Sequence, residues 1–414
     1  MKLLLCWRIV VSDLRAFIEH KCPNGVRFQR LGDIATLVRG NGLSKKQLIG
    51  SDVGAIHYGQ IYTKYSRFTT TTISRVDRDI ADKLVVVNPG DVIVACTSEN
   101  MEDVCTPLAW LGEEPIVTGG HTVTIRHRLD PKYLVYWLGS QAFQRQKRAI
   151  AGGVKVIDVA ARKLATVMVP VPPLEVQSEI VKVLDRFTQL EAELEAELEA
   201  RKAQFSWYGH MIFPEEGECE WLSISDVAKR VSSGGTPSAR NPDFYDGGTI
   251  PWLRTNEVRF QDIHDTAVYI TESAVKNSSA KWIPGNCVIV AISGASAGRS
   301  AVNAIPVTTN QHCCNIEVDE KKAYFRYVYH WVASNYTNLK AMGRGVRGDL
   351  NSNLIKSFPI PIPEMGRQVE IARTLDSFQT LTMDLSSGLP AEISARRKQY
   401  EYYRDKLLTF KELS

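Results

Sequence analysis

Pro170-Val-Pro-Pro-Leu-Glu-Val-Gln177-Ser-Glu-Ile180-Val-Lys-Val-Leu184-Asp185-Arg-Phe187 returns later in the chain as Pro361-Ile-Pro-Glu-Met-Gly-Arg-Gln368-Val-Glu-Ile371-Ala-Arg-Thr-Leu375-Asp376-Ser-Phe378, with matched positions 191 residues apart. Further on, Ala200-Arg201-Lys-Ala-Gln204-Phe205-Ser-Trp207-Tyr208 is answered by Ala395-Arg396-Arg-Lys-Gln399-Tyr400-Glu-Tyr402-Tyr403, now 195 residues apart. The second copy has gained four residues, which fall around Gly388-Leu389-Pro390. Self-similarity on this scale means that one structural unit has been laid down twice.

Both stretches read as helices. In the first, apolar residues fall at Val176, Ile180, Val183, Phe187, Leu190 and Leu194, alternating steps of four and three, the seam of a coiled coil. Leu198 follows at a second consecutive step of four, a stutter that locally unwinds a supercoil, and the seam resumes at Phe205, Tyr208 and Ile212. The second stretch runs Ile371, Leu375, Phe378, Leu381, Leu385, then Tyr400, Tyr403, Leu407 and Phe410, and its Gly388 and Pro390 predict a break or kink. The expected packing residues are Ile180, Leu184, Phe187 and Leu194 on the first helix, and Ile371, Leu375, Phe378, Leu385, Tyr400 and Tyr403 on the second. Prolines mark both helix starts (Pro170, Pro172 and Pro173; Pro359, Pro361 and Pro363), where a missing N–H costs nothing. A helix from Glu175 to Ile212 would extend ~57 Å at ~1.5 Å per residue, enough for a spacer. On periodicity alone such helices are dimerisation or scaffold elements, and the acidic run from Glu191 to Glu199 is a solvated face. That reading leaves unexplained why a similar globular segment precedes each helix.

The globular segments echo one another too. Asn88-Pro89-Gly90-Asp91-Val-Ile-Val-Ala matches Ile283-Pro284-Gly285-Asn286-Cys-Val-Ile-Val, and Tyr133-Leu-Val-Tyr-Trp137-Leu-Gly-Ser140 matches Tyr327-Val-Tyr-His-Trp331-Val-Ala-Ser334. Leu31-Gly-Asp33-Ile-Ala35 recurs as Ile224-Ser-Asp226-Val-Ala228. The expected organisation is an N-terminal helix or extension (1–20), a first globular domain (21–168), a central coiled-coil helix (169–213), a second globular domain (214–357) and a C-terminal coiled-coil helix (358–414). Short β-branched runs at 84–87, 92–95 and 288–292, separated by Gly, Pro and Asn, predict a curved mixed sheet with short helices such as 131–150. The fold class is α+β: two repeated α/β domains with mixed β-sheets, separated by two long antiparallel helices that form a coiled coil.

Composition narrows the function. With 44% hydrophobic and 23% charged residues the chain is globular, not disordered or collagen-like. Fifty Lys and Arg against 46 Asp and Glu leave a net charge of +4, too slight to indicate nucleic acid by itself. Cys6, Cys22, Cys96, Cys105, Cys219, Cys287, Cys313 and Cys314 form no C-x-x-C or paired zinc spacing, so reduced, buried cysteines are expected, and no metal. The stretch from Met1 to Val11 lacks a cleavage site, and no run approaches the ~18–20 apolar residues of a membrane span, which makes the cytoplasm the expected address.

The duplicated helix start, with Gln177/Gln368, Ile180/Ile371, Leu184-Asp185 and Leu375-Asp376, and the helix end Arg396-Arg-Lys-Gln-Tyr-Glu-Tyr-Tyr-Arg-Asp-Lys-Leu-Leu408, resemble the specificity subunit of type I restriction-modification systems. Gly234-Gly-Thr-Pro237 leading to Ile250-Pro-Trp252-Leu-Arg254-Thr-Asn-Glu257 resembles the start of that family's target-recognition domain. The resemblance covers nearly the whole chain. It departs at Met1 to Val11, which precede a family-like Ser12-Asp-Leu-Arg-Ala-Phe-Ile and represent an extension or a misplaced start codon. It implies a non-catalytic DNA-binding subunit without a cofactor, whose partners are double-stranded DNA, two copies of a methylation subunit and a restriction (motor and nuclease) subunit. Each target-recognition domain would read half of a bipartite target, methylated at adenine. Two such readers sit near a helical turn apart, ~34 Å, a distance stiff helices hold better than a linker.

Two other classes remain open on the residues themselves: a coiled-coil scaffold without DNA specificity, and a DNA methyltransferase or nuclease with an unrecognised active site. Against the enzyme, Asn241-Pro242-Asp243-Phe244 has Asp where a methyltransferase loop needs Pro, and Gly294-Ala-Ser-Ala-Gly298-Arg299-Ser300 is one residue short of a phosphate loop, with Arg for Lys. His312-Cys313-Cys314 matches Gly120-His121-Thr122, which lacks the cysteines, so His121 and His312 read as structural. Candidate DNA contacts are polar residues near Gly or aromatics, expected to be exposed: Arg for guanine, Asn or Gln for adenine, Lys or Arg for phosphate. In the first domain these are Lys45, Lys46, Gln60, Lys64, Tyr65, Arg67 and Lys155; in the second, Arg240, Trp252, Arg254, Asn256, Arg299, Arg344 and Arg347.

Overall fold

The computed structural model describes residues 2–343, 349–383 and 388–413. Two compact units share the chain, Met1–Leu194 with Ile393–Ser414, and Glu195–Glu392. Each contains one globular domain and a portion of both helical segments.

In the first unit a five-stranded sheet runs in the order Ala35–Arg39, Thr122–His127, Val92–Ala95, Thr106–Trp110, Phe68–Thr69, antiparallel except for its last pair. A four-stranded sheet has the order Ser74–Val76, Val53–Ile56, Ile116–Thr118, Val85–Val87, and its central pair is parallel. The second unit repeats both, strand for strand: Ala228–Ser233, Cys313–Val318, Val288–Ala291, Ser300–Asn303, Asp262–Ile263, and Tyr269–Ile270, Ile250–Leu253, Val307–Thr309, Trp282–Ile283. Parallel pairs fall at the same places. A ribbon closes each domain, Phe28–Arg30 with Met168–Pro170 and Glu220–Ser223 with Pro359–Ile362.

The single curved sheet expected from the sequence is thus two sheets. Residues 84–87 and 92–95 do not share one, because Asn88-Pro89-Gly90, with Gly90 at φ 89°, lifts the chain from the four-stranded sheet into the five-stranded one. Val92–Ala95 is buried on both faces: Val92 and Val94 pack into the core under the helices, while Ile93 and Ala95 pack toward the four-stranded sheet. Val288 and Val290 are divided from Ile289 and Ala291 in the same way. This sandwiching explains why these strands are unbroken apolar runs without polar alternation. The helix expected over 131–150 is also two, Pro131–Leu138 and Gln141–Ile150, because Ser140 caps the second by accepting from Phe143 N at 3.3 Å.

Leu174–Met211 is one uninterrupted helix, and the C-terminal segment is two, Met365–Met383 and Leu389–Leu407, with Pro390 in the first turn of the latter. Ile180, Leu184, Phe187, Ile371, Leu375, Tyr400 and Tyr403 are buried, Leu194 and Phe378 half-buried, and Leu385 lies outside the described residues. In the first unit Phe187 stacks on Tyr403 at 5.6 Å and Glu191 pairs with Arg397 at 2.6 Å, so the two helices run antiparallel. In the second, Phe378 stacks on Tyr208 at 5.2 Å and Phe205 at 6.4 Å. The seam departs from the expected pattern at Leu381, which is 37% exposed while Thr382 is 1% exposed. Thr382 fits because its hydroxyl donates to Phe378 O at 2.7 Å, leaving no unpaired polar group inside.

The repeated Gln and Asp residues clamp each domain to its helix. Gln177 accepts from Asp130 N at 2.8 Å and donates to Pro172 O at 2.8 Å; Gln368 accepts from Tyr324 N at 2.9 Å and donates to Pro363 O at 2.8 Å. Asp185 holds Lys132 Nζ and Tyr136 Oη, both at 2.6 Å, and Asp376 holds Arg326 and, at 2.6 Å, His330.

Candidate nucleic-acid interface

At one end of each five-stranded sheet the connecting loops form a polar rim. In the first unit it follows Arg39 and Ala95, precedes Thr122, and includes a hairpin tied to Thr97 and Ser98. Its centre is an aromatic cluster: the His57 and Tyr58 rings lie 4.5 Å apart, and Tyr58 and His121 4.8 Å. His57 is buried and caps the Tyr58–Thr63 helix, its Nδ1 accepting from Gly59 N at 3.1 Å, which leaves the proton on Nε2. Burial first, then repulsion by the Lys45 charge, holds its imidazole below the usual histidine range, so it is neutral near pH 7. Exposed His121, at φ 67°, shares a hydrogen bond with Thr97 Oγ1 at 3.1 Å, and Thr97 donates to Asp158 at 2.8 Å.

The second rim has the same plan with different side chains. Arg254 stands where His57 does, and both lie at a capping box, closed by Gln60 in the first unit and Glu257 in the second. Gly234 and Gly235 are required by close approach: a Cβ on the first would lie 2.0 Å from Thr309 O, and on the second 2.2 Å from Ser279 Oγ. Thr236 donates to Gln311 beside exposed His312.

Of the expected contacts, Lys45, Lys46, Lys64, Lys155, Arg240 and Asn256 are exposed, and Arg254 and Arg299 half-buried. Lys45 acts on His57 through its charge, and Lys155 crowns the hairpin that ends at Asp158. The expected exposure fails elsewhere. Trp252 is 7% exposed, its Nε1 donating to Gly235 O at 3.0 Å, because the indole packs into a small core with Ile250, Ile270, Ala274 and Ala280. Gln60 accepts from His57 N at 3.0 Å and donates to Ser74 Oγ at 2.7 Å, while the Tyr65 hydroxyl accepts from Ile73 N at 2.9 Å. Arg67 lies over the Tyr400 ring at 4.7 Å, a contact between domain and helix. Arg344 and Arg347 lie outside the described residues. Sequence reasoning missed His57 and Tyr58, although the matched capping positions Gln60 and Glu257 carry the signal.

The Gly294–Arg299 segment is a turn between antiparallel strands, which is not a phosphate loop, and residues 242–244 form a single 3-10 turn. Among the described residues no group of His, Cys, Asp or Glu could hold a metal, and no helix is long and apolar enough to cross a membrane. The rims present cations, amides, imidazole and an aromatic ring, the groups that bind phosphate, base edges and base faces.

Comparison with known proteins decides between the open classes. The type I restriction modification DNA specificity domain matches the chain twice, over residues 23–200 and 216–395. The chain belongs to that family. It is 34% identical over 291 residues to the EcoR124I/EcoR124II specificity subunit of Escherichia coli, covering 67% of this chain and 70% of that one. It is 34% identical over 214 residues to the EcoprrI specificity subunit of Escherichia coli, covering 47% and 51%. In fold it resembles a chain solved in a study of type I restriction-modification complex assembly (TM-score 0.66, 15% identity, 94% of this chain and 98% of that). It also resembles the S subunit from M. genitalium (0.55, 13%, 93% and 96%) and HsdS from Thermoanaerobacter tengcongensis (0.53, 15%, 94% and 97%). As a specificity subunit the chain serves DNA recognition and is non-catalytic, which disfavours both the scaffold and the disguised enzyme.

Histidines held below their ordinary range make stability pH-dependent. Burial pushes His127 down to about 4, and burial also lowers His330 despite the opposing pull of Asp376. A lowered folded value means that the unfolded chain binds the proton first, so the contribution is complete above the unfolded value and is lost as pH falls toward the folded one. For His127 alone the loss at pH 5 is about 2 kcal/mol. Urea denaturation at pH 7.5 and pH 5 should show a lower midpoint in acid, with a smaller drop in His127→Gln; an equal drop in that variant would remove His127 as the cause.

Proposed function

We propose that the domains at 21–168 and 214–357 each read one half of a bipartite double-stranded target, while the helices at 169–213 and 358–414 set the gap and dock two copies of a methylation subunit. A restriction subunit completes the assembly, which acts in the cytoplasm on cellular DNA. The observation that carries this reading is the strand-for-strand duplication with chemically different rims: Arg254 and Gln311 in one, His57 and Tyr58 in the other, around a histidine common to both, His312 and His121. One scaffold carrying two side-chain sets suits two different half-sites.

The test is the methylome of cells expressing the chain with its methylation subunit. One bipartite motif methylated at adenine is expected, and replacing residues 214–357 by another such domain should change one half and leave the other intact. No motif, or both halves changing together, overturns the proposal.

A further inference from the structure

Residues 152–158 form a hairpin at the rim of the first domain, closed by Gly152 N to Asp158 O at 3.1 Å and Asp158 N to Gly152 O at 2.8 Å. Its turn demands glycine: Gly153 has φ 114°, and a Cβ there would lie 2.0 Å from Val156 O. The base is clamped, since Asp158 accepts from Thr97 Oγ1 at 2.8 Å and from Arg39 at 2.9 Å, and Arg39 also donates to Val159 O at 3.3 Å. On this held base the tip presents Val154, 99% exposed, then exposed Lys155, then Val156, 54% exposed.

A single exposed valine needs no explanation. Two valines bracketing a lysine on a clamped hairpin do, because neither Val154 nor Lys155 contributes to the core. The second domain repeats the pattern in sequence, Gly153-Val154-Lys155 with Asp158 answering Gly345-Val346-Arg347 with Asp349. The anchors match: Asp349 accepts from Gly294 N at 2.9 Å, and Leu350 N donates to Ile292 O at 2.8 Å as Val159 N does to Cys96 O at 2.9 Å.

We infer that Val154 and Lys155 form a DNA-contact element of the first domain, the valine entering a groove against a base edge such as a thymine methyl and the lysine seated on the adjoining phosphate. Apolar side chains placed this way distinguish thymine from cytosine, which a phosphate contact cannot do. Duplex DNA suits the tip better than a protein groove because a cation sits between the valines, matching an apolar base edge flanked by anionic backbone. The inference rests on the proposed reading that this domain binds one half-site.

The test uses the chain bound to its methylation subunit and a duplex carrying the motif found in the methylome. Val154→Ser removes no packing, so the melting temperature should stay at the wild-type value. Affinity for the target duplex should fall about tenfold, with tolerance appearing at a base of the first domain's half-site. Lys155→Ala should weaken target and unrelated duplexes alike and reduce the salt slope of binding by about one. Wild-type affinity and selectivity in Val154→Ser overturn this inference alone, as does loss of the methylation subunit from that variant with DNA selectivity intact. Failure of the wild-type complex to bind the duplex selectively overturns the proposed function as well.

Discussion

Asp376→Ala is expected to lower the stability of the second unit by about 2–4 kcal/mol, while Asp185→Ala at the matched position costs the first unit only about 1–2 kcal/mol. Both carboxylates clamp a domain helix to the coiled coil, but the groups they hold differ in exposure. Asp376 serves Arg326, whose side chain is 12% exposed, and His330, 2% exposed. Removing it leaves a desolvated guanidinium with Asp262 as its one remaining carboxylate among the described residues, and an imidazole without its acceptor. Asp185 serves Lys132, whose side chain is 31% exposed and can turn to water, and the Tyr136 hydroxyl. Denaturant melts with hydrogen-exchange readout on each unit would measure the two losses. Equal losses, or the larger one at Asp185, would show that burial of the partners does not govern the clamp.

Gln368→Met should cost about 2–4 kcal/mol, although it nearly preserves the side-chain volume and the apolar stem. Gln368 is 1% exposed, and its amide satisfies two main-chain groups at once, Tyr324 N and Pro363 O, which both lose that partner in the variant. Gln177 bridges Asp130 N and Pro172 O identically, so Gln177→Met should match it in the first unit. A midpoint shift corresponding to less than about 0.5 kcal/mol in either variant, the size of an ordinary surface change, would mean that the bridging amide is dispensable.

These two residue types show how far the sequence could be read. Gln177/Gln368 and Asp185/Asp376 stand out as repeated positions in the linear chain, yet their repetition says nothing of what they hold. Their partners on the domain side lie 44 to 53 residues away and meet them only when the domain helix docks. Leu381 and Thr382 teach the converse: heptad counting favours leucine, but the helix turns threonine inward, where its hydroxyl is satisfied by its own backbone. Trp252 and Arg67 belong to the same class of miss. Both have the chemistry of a DNA contact, and whether a side chain meets solvent or a neighbouring ring is a property of packing.

The doubling of the chain, the helix starts at their proline clusters and the break near Gly388 were all settled by the order of residues, because periodicity, glycine and proline act on the chain locally. The division of each domain into two sheets, the burial of Trp252 and the gathering of His57, Tyr58 and His121 into one rim were decided by the tertiary structure. Those features depend on which distant segments come within a few ångströms of each other, and that follows from joint packing of strands whose individual apolar runs look alike.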